Sequence, residues 1–366
     1  MSRLIGTVHL KLEASADGKA DLRQGFSAVA LVGRYLWAAC DETATLERLT
    51  WLGEGRFGEH RSFALEELLD LPNPGEEVDL EGLAWAPPYL WLVGSHSRRR
   101  GHAEEGGAEE RIAALAEVDT QDNRYLLARL PLHEEEGGEV VPCRECPDPN
   151  DPDLPLTAAR LRGDGRDSQL VEELRGDPHL RRSFRAPSKE NGFDVEGLAA
   201  ANGRLFLGLR GPVLRGWAVV LEVEPRQGKN GMLRLRRIGP GKRRYRKHFL
   251  DLDGLGVREL VASGDDLLVL AGPTMDLPAP AALYRWPGAL HADGDTIVGR
   301  DDLERLMDLP HDVQGGKDHP EGLCFLPLEG IPPSVLVVYD SAARHRVTRS
   351  GIRADVFALP KQGEEG

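Results

Sequence analysis

At 366 residues, with 40% hydrophobic and 29% charged residues, the chain has the composition of an ordinary globular protein that buries most of its apolar surface without staples. A formal net charge of −14 opposes generic binding to nucleic acid or to an anionic membrane, because phosphate contact needs a basic face. No apolar run approaches the roughly 18 residues that span a bilayer, and MSRLIGTVHLKLEAS lacks the apolar core of a signal peptide, so a cytoplasmic protein is expected.

Along the chain a first strand, LIGTVHLKL at 4–12, has no partner of its own, and residues 13–22 read as loose. A repeating unit follows: a short strand, a tight turn and a second strand of almost unbroken apolar residues. Each unit opens on one phrase, written FSAVAL at 26–31, DLEGLAW at 79–85, DVEGLAA at 194–200, a degenerate RELVA at 258–262 and HPEGLCF at 319–325. The second strands are YLWAAC, YLWLVG, LFLGL, LLVLAG and VLVVY, and since they do not alternate with polar residues both of their faces must be covered. Wetter strands are expected next, ATLERLTWL at 44–52, RIAALAEVD at 111–119, GWAVVLEVE at 216–224 and AALYRW at 281–286, with short helices over 65–70 and 302–308. Internal repetition overrides the length prior for two or three domains, because repeated units share one closed core.

Four antiparallel strands per unit, buried inside and wetter outside, is the pattern of an all-β protein, a β-propeller forming a single domain over 1–366. The phrase positions 27, 81, 196, 259 and 321 give steps of 54, 115, 63 and 62 residues. Only the second is anomalous: residues 142–190 hold a Pro- and Asp-rich loop and then SQLVEELRGDPHLRRSF, which has helical spacing. Five blades with a helical insertion between the second and third are therefore expected, with six blades as the alternative. The strand-like ADVFAL near the end and the strand at 4–12 are expected to share the last blade, which removes exposed edges, and 361–366 to be loose.

In an up-and-down pair the start of the first strand and the end of the second lie at one rim. Glu81, Glu196, Glu259 and Glu321, with Ser27 at the fifth position, therefore share a mouth with Asp41, His96, Arg210 and Asp340 and with Lys189, Asn191, Asp194, Arg258, His311, Asp312, Lys317 and His319 from the preceding connections. Four carboxylates aimed at one channel cannot all stay ionised and unpaired. Three arrangements relieve them: a divalent cation, Ca²⁺ or Mg²⁺, held by Glu81, Glu196, Glu259 and Glu321; direct neutralisation by Arg210, Lys189 and histidines; or capture of each Glu by backbone N–H groups of a neighbouring blade. His96 in GSHSRRRGH is the histidine suited to general acid or base work, together with Glu196, and the Arg-, Gly- and Glu-rich stretch 98–110 reads as a flexible flap. Arg210, Lys189, Asn191, Asp41, Asp340 and His319 are the expected ligand-binding set.

Other motifs are weaker. Cys143 and Cys146 form a single C-x-x-C without the second pair a zinc site needs, and Cys40 and Cys324 sit in apolar strands as small buried thiols. The basic run from Arg226 to Lys247 reads as a solvated outer strand paired with acidic neighbours, a nucleic-acid patch being the alternative. No Rossmann fingerprint, P-loop or G-x-S-x-G elbow is present.

The segments DLEGLAW with YLWLVGSHS, and SKENGFDVEGLAA with RLFLGLRGPVLRGWAVVLEVE, give the chain a resemblance to a bacterial family, the domain of unknown function 3616 family. The resemblance covers most of the chain and is most specific from SKENGFDVEGL to RGPVLRG. It implies a propeller akin to phytase-like and esterase-like propellers and leaves the chemistry open. Two functions are thus expected in competition: a metal-dependent hydrolase of a phosphorylated or ester-bearing small molecule, and a non-catalytic propeller that binds a ligand or a protein partner.

Overall fold

The computed structural model describes residues 3–13, 22–23, 25–101, 106–275, 280–310, 318–327 and 333–360. Within them the chain is all-β and propeller-like, with few and short helices. Five antiparallel meanders follow one another. The first is Phe26–Val32, Tyr35–Cys40, Thr45–Gly53 and Arg56–Ala64; the second Leu80–Ala86, Tyr89–Gly94, Leu127–Glu134 and Val140–Pro142. The third is Asp194–Ala201, Arg204–Leu214, Trp217–Val223 and Tyr245–Asp251, and the fourth Gly256–Ser263, Asp266–Gly272, Ala281–Trp286 and Glu304–Leu309. The fifth takes His319–Phe325, Ser334–Asp340 and Gly351–Ala358 and is completed by the N-terminal strand Leu4–Lys11, antiparallel to Gly351–Ala358. That strand also pairs parallel with the first meander, His9 opposite Arg56, so the two ends of the chain meet where the first and fifth sheets join.

The unbroken apolar second strands are explained by what covers them. In Tyr35–Cys40 the residues Leu36, Ala38 and Cys40 pack toward the fifth sheet, and Tyr35, Trp37 and Ala39 toward the second. Further buried clusters fill the spaces between second and third, third and fourth, and fourth and fifth sheets. The first strands touch in chain order, and that of the fifth also lies against that of the first.

Glycine in the phrase permits this approach. A methyl group on Gly82 would fall 2.6 Å from Leu198 Cβ and 2.8 Å from Val93 Cγ1. Gly82→Ala is expected to lower stability by about 1–3 kcal/mol through overpacking between the second and third sheets, read as a lowered melting temperature.

Three sequence expectations are corrected. Residues 302–308 are not helical: a 3₁₀ turn at Arg300–Asp302 leads into the strand Glu304–Leu309, whose pairing with Ala281–Trp286 overrides the helix-like spacing of Leu303, Leu306 and Met307. Residues 111–119 are not the third strand of the second unit, since Ala108–Ala116 is an α-helix without a buried residue and Leu127–Glu134 supplies that strand. The 142–190 insertion carries a two-stranded ribbon, Glu145–Asp148 with Asp151–Thr157, besides the helix Gln169–Leu174. The helix Leu65–Leu68 lies inside the span expected for it.

The expected flap splits: Arg99–Arg100 pairs with Val118–Asp119, while 102–105 lie outside the described residues. So do most of 13–22 and all of 361–366. No described helix is long and apolar enough to cross a membrane.

Candidate functional site

A strand bulge recurs where each phrase begins, and it sets which side chain faces the mouth. Pairing of first and second strands skips Ser27, Glu81 and Glu196 in the first three units and passes over Glu321 in the fifth. In the fourth unit the skipped residue is Arg258: Val257 pairs with Ala271 and Glu259 with Leu270. Because side chains alternate along a strand, this one-residue difference moves Glu259 off the ring position and puts Arg258 on it. The four-glutamate set that included Glu259 is corrected to three glutamates, one serine and one arginine.

Glu259 occupies the place that glycine holds in three other units, fully buried against the third sheet. Its Oε1 accepts hydrogen bonds from the backbone N–H groups of Leu198 (3.0 Å) and Leu260 (2.8 Å), while Oε2 is buried with no partner. Burial holds its carboxyl well above the usual range, opposed by those two N–H groups. The capture by a neighbouring sheet that was one of the three expected arrangements is thus realised at this glutamate. Ser27 also ties neighbouring sheets, donating to Leu80 O at 2.6 Å.

Arginines neutralise much of the ring. Arg258 binds Glu196 through Nε at 2.9 Å and Glu321 through Nη2. Arg210 binds Asp194 at 2.5 Å and Glu196 at 2.8 Å. Arg124 binds Asp79 at 2.5 Å and donates to the hydroxyls of Ser95 and Ser97. Arg124 and its partner Asp79 were not legible as site residues, because Arg124 follows a long strap that the repeat spacing does not predict.

Among the described residues no Arg or Lys lies within ion-pair distance of Asp41, Glu81 or Asp340; His319 Nδ1 is 3.9 Å from Asp340. The Asp41 carboxyl is pushed up to about 8 by burial and then by the charges of Asp340 and Asp79, and its Oδ1 is buried without a partner. Burial, Asp79 and Glu196 likewise raise Glu81. Asp194 is lifted to about 7 by burial, against the pull of Arg210. The mouth therefore has two unlike sides. Asp79, Arg124, Asp194, Glu196 and Arg258 are buried, whereas Asp41, Glu81, His319 and Asp340 are only part-buried.

The closed side is roofed by two connections that topology puts at this rim. Ser188 N donates to Arg98 O (3.0 Å), Arg100 pairs with Glu190, and Glu190 bridges to Met275, in the connection that follows Asp266–Gly272. Lys189 is exposed on that roof. Asn191, at φ 59°, holds Val213 through both its amide oxygen and nitrogen, so it fixes the end of the strand after Arg210. His96 is buried at 1% exposure, donates through Nδ1 to Gly94 O (2.8 Å), leaves Nε2 buried without a partner and is pushed down to about 4 by burial. Among the described residues no carboxylate hydrogen-bonds or pairs with it, so the structure does not bring His96 together with the acids. His311, Asp312 and Lys317 lie outside the described residues.

The remaining motifs resolve simply. Arg236, Arg243, Arg244, Arg246 and Lys247 of the basic run are paired with Glu224, Asp295, Glu173, Glu222 and Asp177. All four cysteines are free, and Cys143 Sγ lies 3.6 Å from Pro131 O.

Fold and site together define a propeller-like all-β protein with a charged, two-sided mouth. The model of the family described as protein of unknown function (DUF3616) matches residues 25–355, and the chain belongs to that family. Among solved structures the chain is similar to the glutaminyl cyclase of Myxococcus xanthus, at 11% identity over 98% of this chain and 97% of that one, with a TM-score of 0.44. It is also similar to the PQQ-bound aldose sugar dehydrogenase of Streptomyces coelicolor, at 13% identity over 98% of each chain and a TM-score of 0.39. A third likeness is to the WD40 β-propeller domain of Doa1, at 11% identity over 99% of this chain and 98% of that one, TM-score 0.33. No curated protein matches the chain.

Proposed function

We propose that the five meanders are the blades of a closed five-bladed propeller and that its mouth binds and hydrolyses a phosphorylated or ester-bearing small molecule with the help of a divalent cation. Closure is supported by the first strands, which touch in order from first to fifth and back to the first. The observation that carries the ligand site is the charge imbalance: three arginines are spent on Asp79, Asp194, Glu196 and Glu321, while Asp41, Glu81 and Asp340 stand part-buried with no described Arg or Lys at ion-pair distance. Such a surplus calls for a cation, and a bound cation presents an anionic or carbonyl oxygen of a ligand to water.

Roles shift accordingly from the sequence-based set. Proton transfer falls to Asp41, a carboxyl poised near neutral pH, instead of His96, which is walled off, or Glu196, which is paired with Arg210 and Arg258. Lys189, exposed on the roof, is the cation available to a ligand anion, since Arg210 is committed to carboxylates. The free thiols suit a reducing compartment, the cytoplasm.

Purified protein is expected to be stabilised thermally by Mn²⁺, Mg²⁺ or Ca²⁺ and to hydrolyse generic phosphoesters or lactones, with Asp41→Asn lowering the rate by about 100-fold or more, the usual weight of one acid–base group. A parent protein inert toward both substrate classes would end the hydrolase reading. The competing reading, a scaffold propeller, is favoured by Ile112 and Leu115, 69% and 51% exposed on the rim helix Ala108–Ala116. Capture of a single protein by the parent, lost in an Ile112→Ser, Leu115→Ser variant, would decide for it.

A further inference from the structure

The last unit places three ligand-type side chains around one point. His319 and Glu321 are two residues apart on the strand His319–Phe325, and His319 sits opposite Asp340 in the antiparallel pairing. One nitrogen or oxygen from each of His319, Glu321 and Asp340 lies within 4.8 Å of the others, near the spacing of ligands that share one ion at about 2.0–2.4 Å. Arg258 also holds Glu321, which fixes that carboxylate at the rim.

A fourth group lies close by, across Gly25. Asp340 forms an isolated bridge to Gly25, and Asp41 Oδ1 lies 3.1 Å from where a side chain on Gly25 would begin. That oxygen is buried and has no hydrogen-bond partner. A buried carboxylate oxygen left unsatisfied at the edge of a His–Glu–Asp set is a missing contact that a water on a bound cation would supply. The absence of a side chain at Gly25 keeps the gap open.

We propose that His319, Glu321 and Asp340, bordered by Asp41, form a divalent-cation site at the junction of the first and fifth sheets. The imidazole favours Mn²⁺ or Zn²⁺ over the Ca²⁺ or Mg²⁺ that an all-carboxylate ring would select. The site differs from the ring of phrase glutamates: of those it uses only Glu321. It rests on the reading of the mouth as a ligand site and names the side on which the cation sits.

Titration of Mn²⁺ into the full chain, followed by electron paramagnetic resonance and calorimetry, tests it. One ion per chain is expected, with affinity reduced at least 10-fold in Asp340→Asn and in His319→Gln, and unchanged in the exposed control Asp265→Asn. Two variants guard against a folding defect in either, and circular dichroism confirms that each is folded. Binding no tighter in the parent than in both variants, or no binding by the parent, overturns the site. Hydrolysis is assayed in parallel so that the failures separate. Ion loss in both variants with an inert parent supports the site and sinks the hydrolase reading; unchanged ion binding with an active parent sinks the site alone.

Discussion

Arg258→Ala is expected to destabilise the protein by about 3–5 kcal/mol, the cost of removing one partner from a buried ion pair. Arg258 is 6% exposed and bridges Glu196 of the third sheet to Glu321 of the fifth. Its removal leaves Glu321 without its arginine partner and Glu196 with Arg210 alone. Arg258→Lys is expected to recover only part of the loss, because a single ammonium cannot span two carboxylates as a planar guanidinium does. Urea denaturation at neutral pH measures both. A change below about 1 kcal/mol for Arg258→Ala, as for an exposed residue, would contradict the register that puts Arg258 on the ring.

Glu259→Gln is expected to act in the opposite direction. The glutamine oxygen still accepts from Leu198 and Leu260, while the titratable group is gone. The folded-state carboxyl is raised, so the folded chain holds its proton where the unfolded chain, with an ordinary value near 4.3, has released it. Stability contributed by this group is therefore present at low pH and is lost as pH rises above about 4 toward the folded value. At pH 7 the glutamine variant is expected to exceed the parent by about 1 kcal/mol or more, one pKa unit being worth about 1.4 kcal/mol. Its unfolding free energy is expected to fall less steeply than the parent's from pH 4 upward. Glu259→Ala strands two buried N–H groups and is expected to cost about 2–4 kcal/mol. Chemical denaturation across pH 4 to 8 checks the set, and a glutamine variant less stable than its parent at every pH would contradict it. Asp41 and Asp194, lifted to about 8 and about 7, add slopes of the same sign.

Much of the architecture was legible because it is written in periodicity. The five phrases, their apolar second strands and the solitary strand at 4–12 each answer to a strand seen in its expected place. What failed was local context. In the fourth unit the letter E invited alignment of Glu259 with Glu81, yet eight residues before Asp266, where the second strand begins after the turn at Gly264 and Asp265, stands Arg258. Eight is also the spacing from Glu81 to Tyr89 and from Glu196 to Arg204, so the signal existed and the residue type misled. A single step along a strand reverses the face, and here it changed an acid into a base at the mouth.

The strap between Gly94 and Leu127 hid its meaning for a different reason. Its helix has no buried face, so no amphipathic stripe tied it to the core, and Arg124 reaches Asp79 only through the return of the chain. Asp41 and Asp340, by contrast, were visible as polar ends of apolar strands, because a strand emerging from the core must meet water or a ligand at its rim. Burial and the neighbouring charges that make Asp41 unusual arise only once the first, second and fifth sheets are assembled.

The open side of the mouth, between the first and fifth sheets, is where a cation and its ligand are expected. Anomalous diffraction from crystals grown with Mn²⁺ tests this most directly. A single peak within bonding distance of His319, Glu321 and Asp340 is expected, whereas an empty mouth, or a peak among Asp194 and Glu196 on the arginine side, would contradict it.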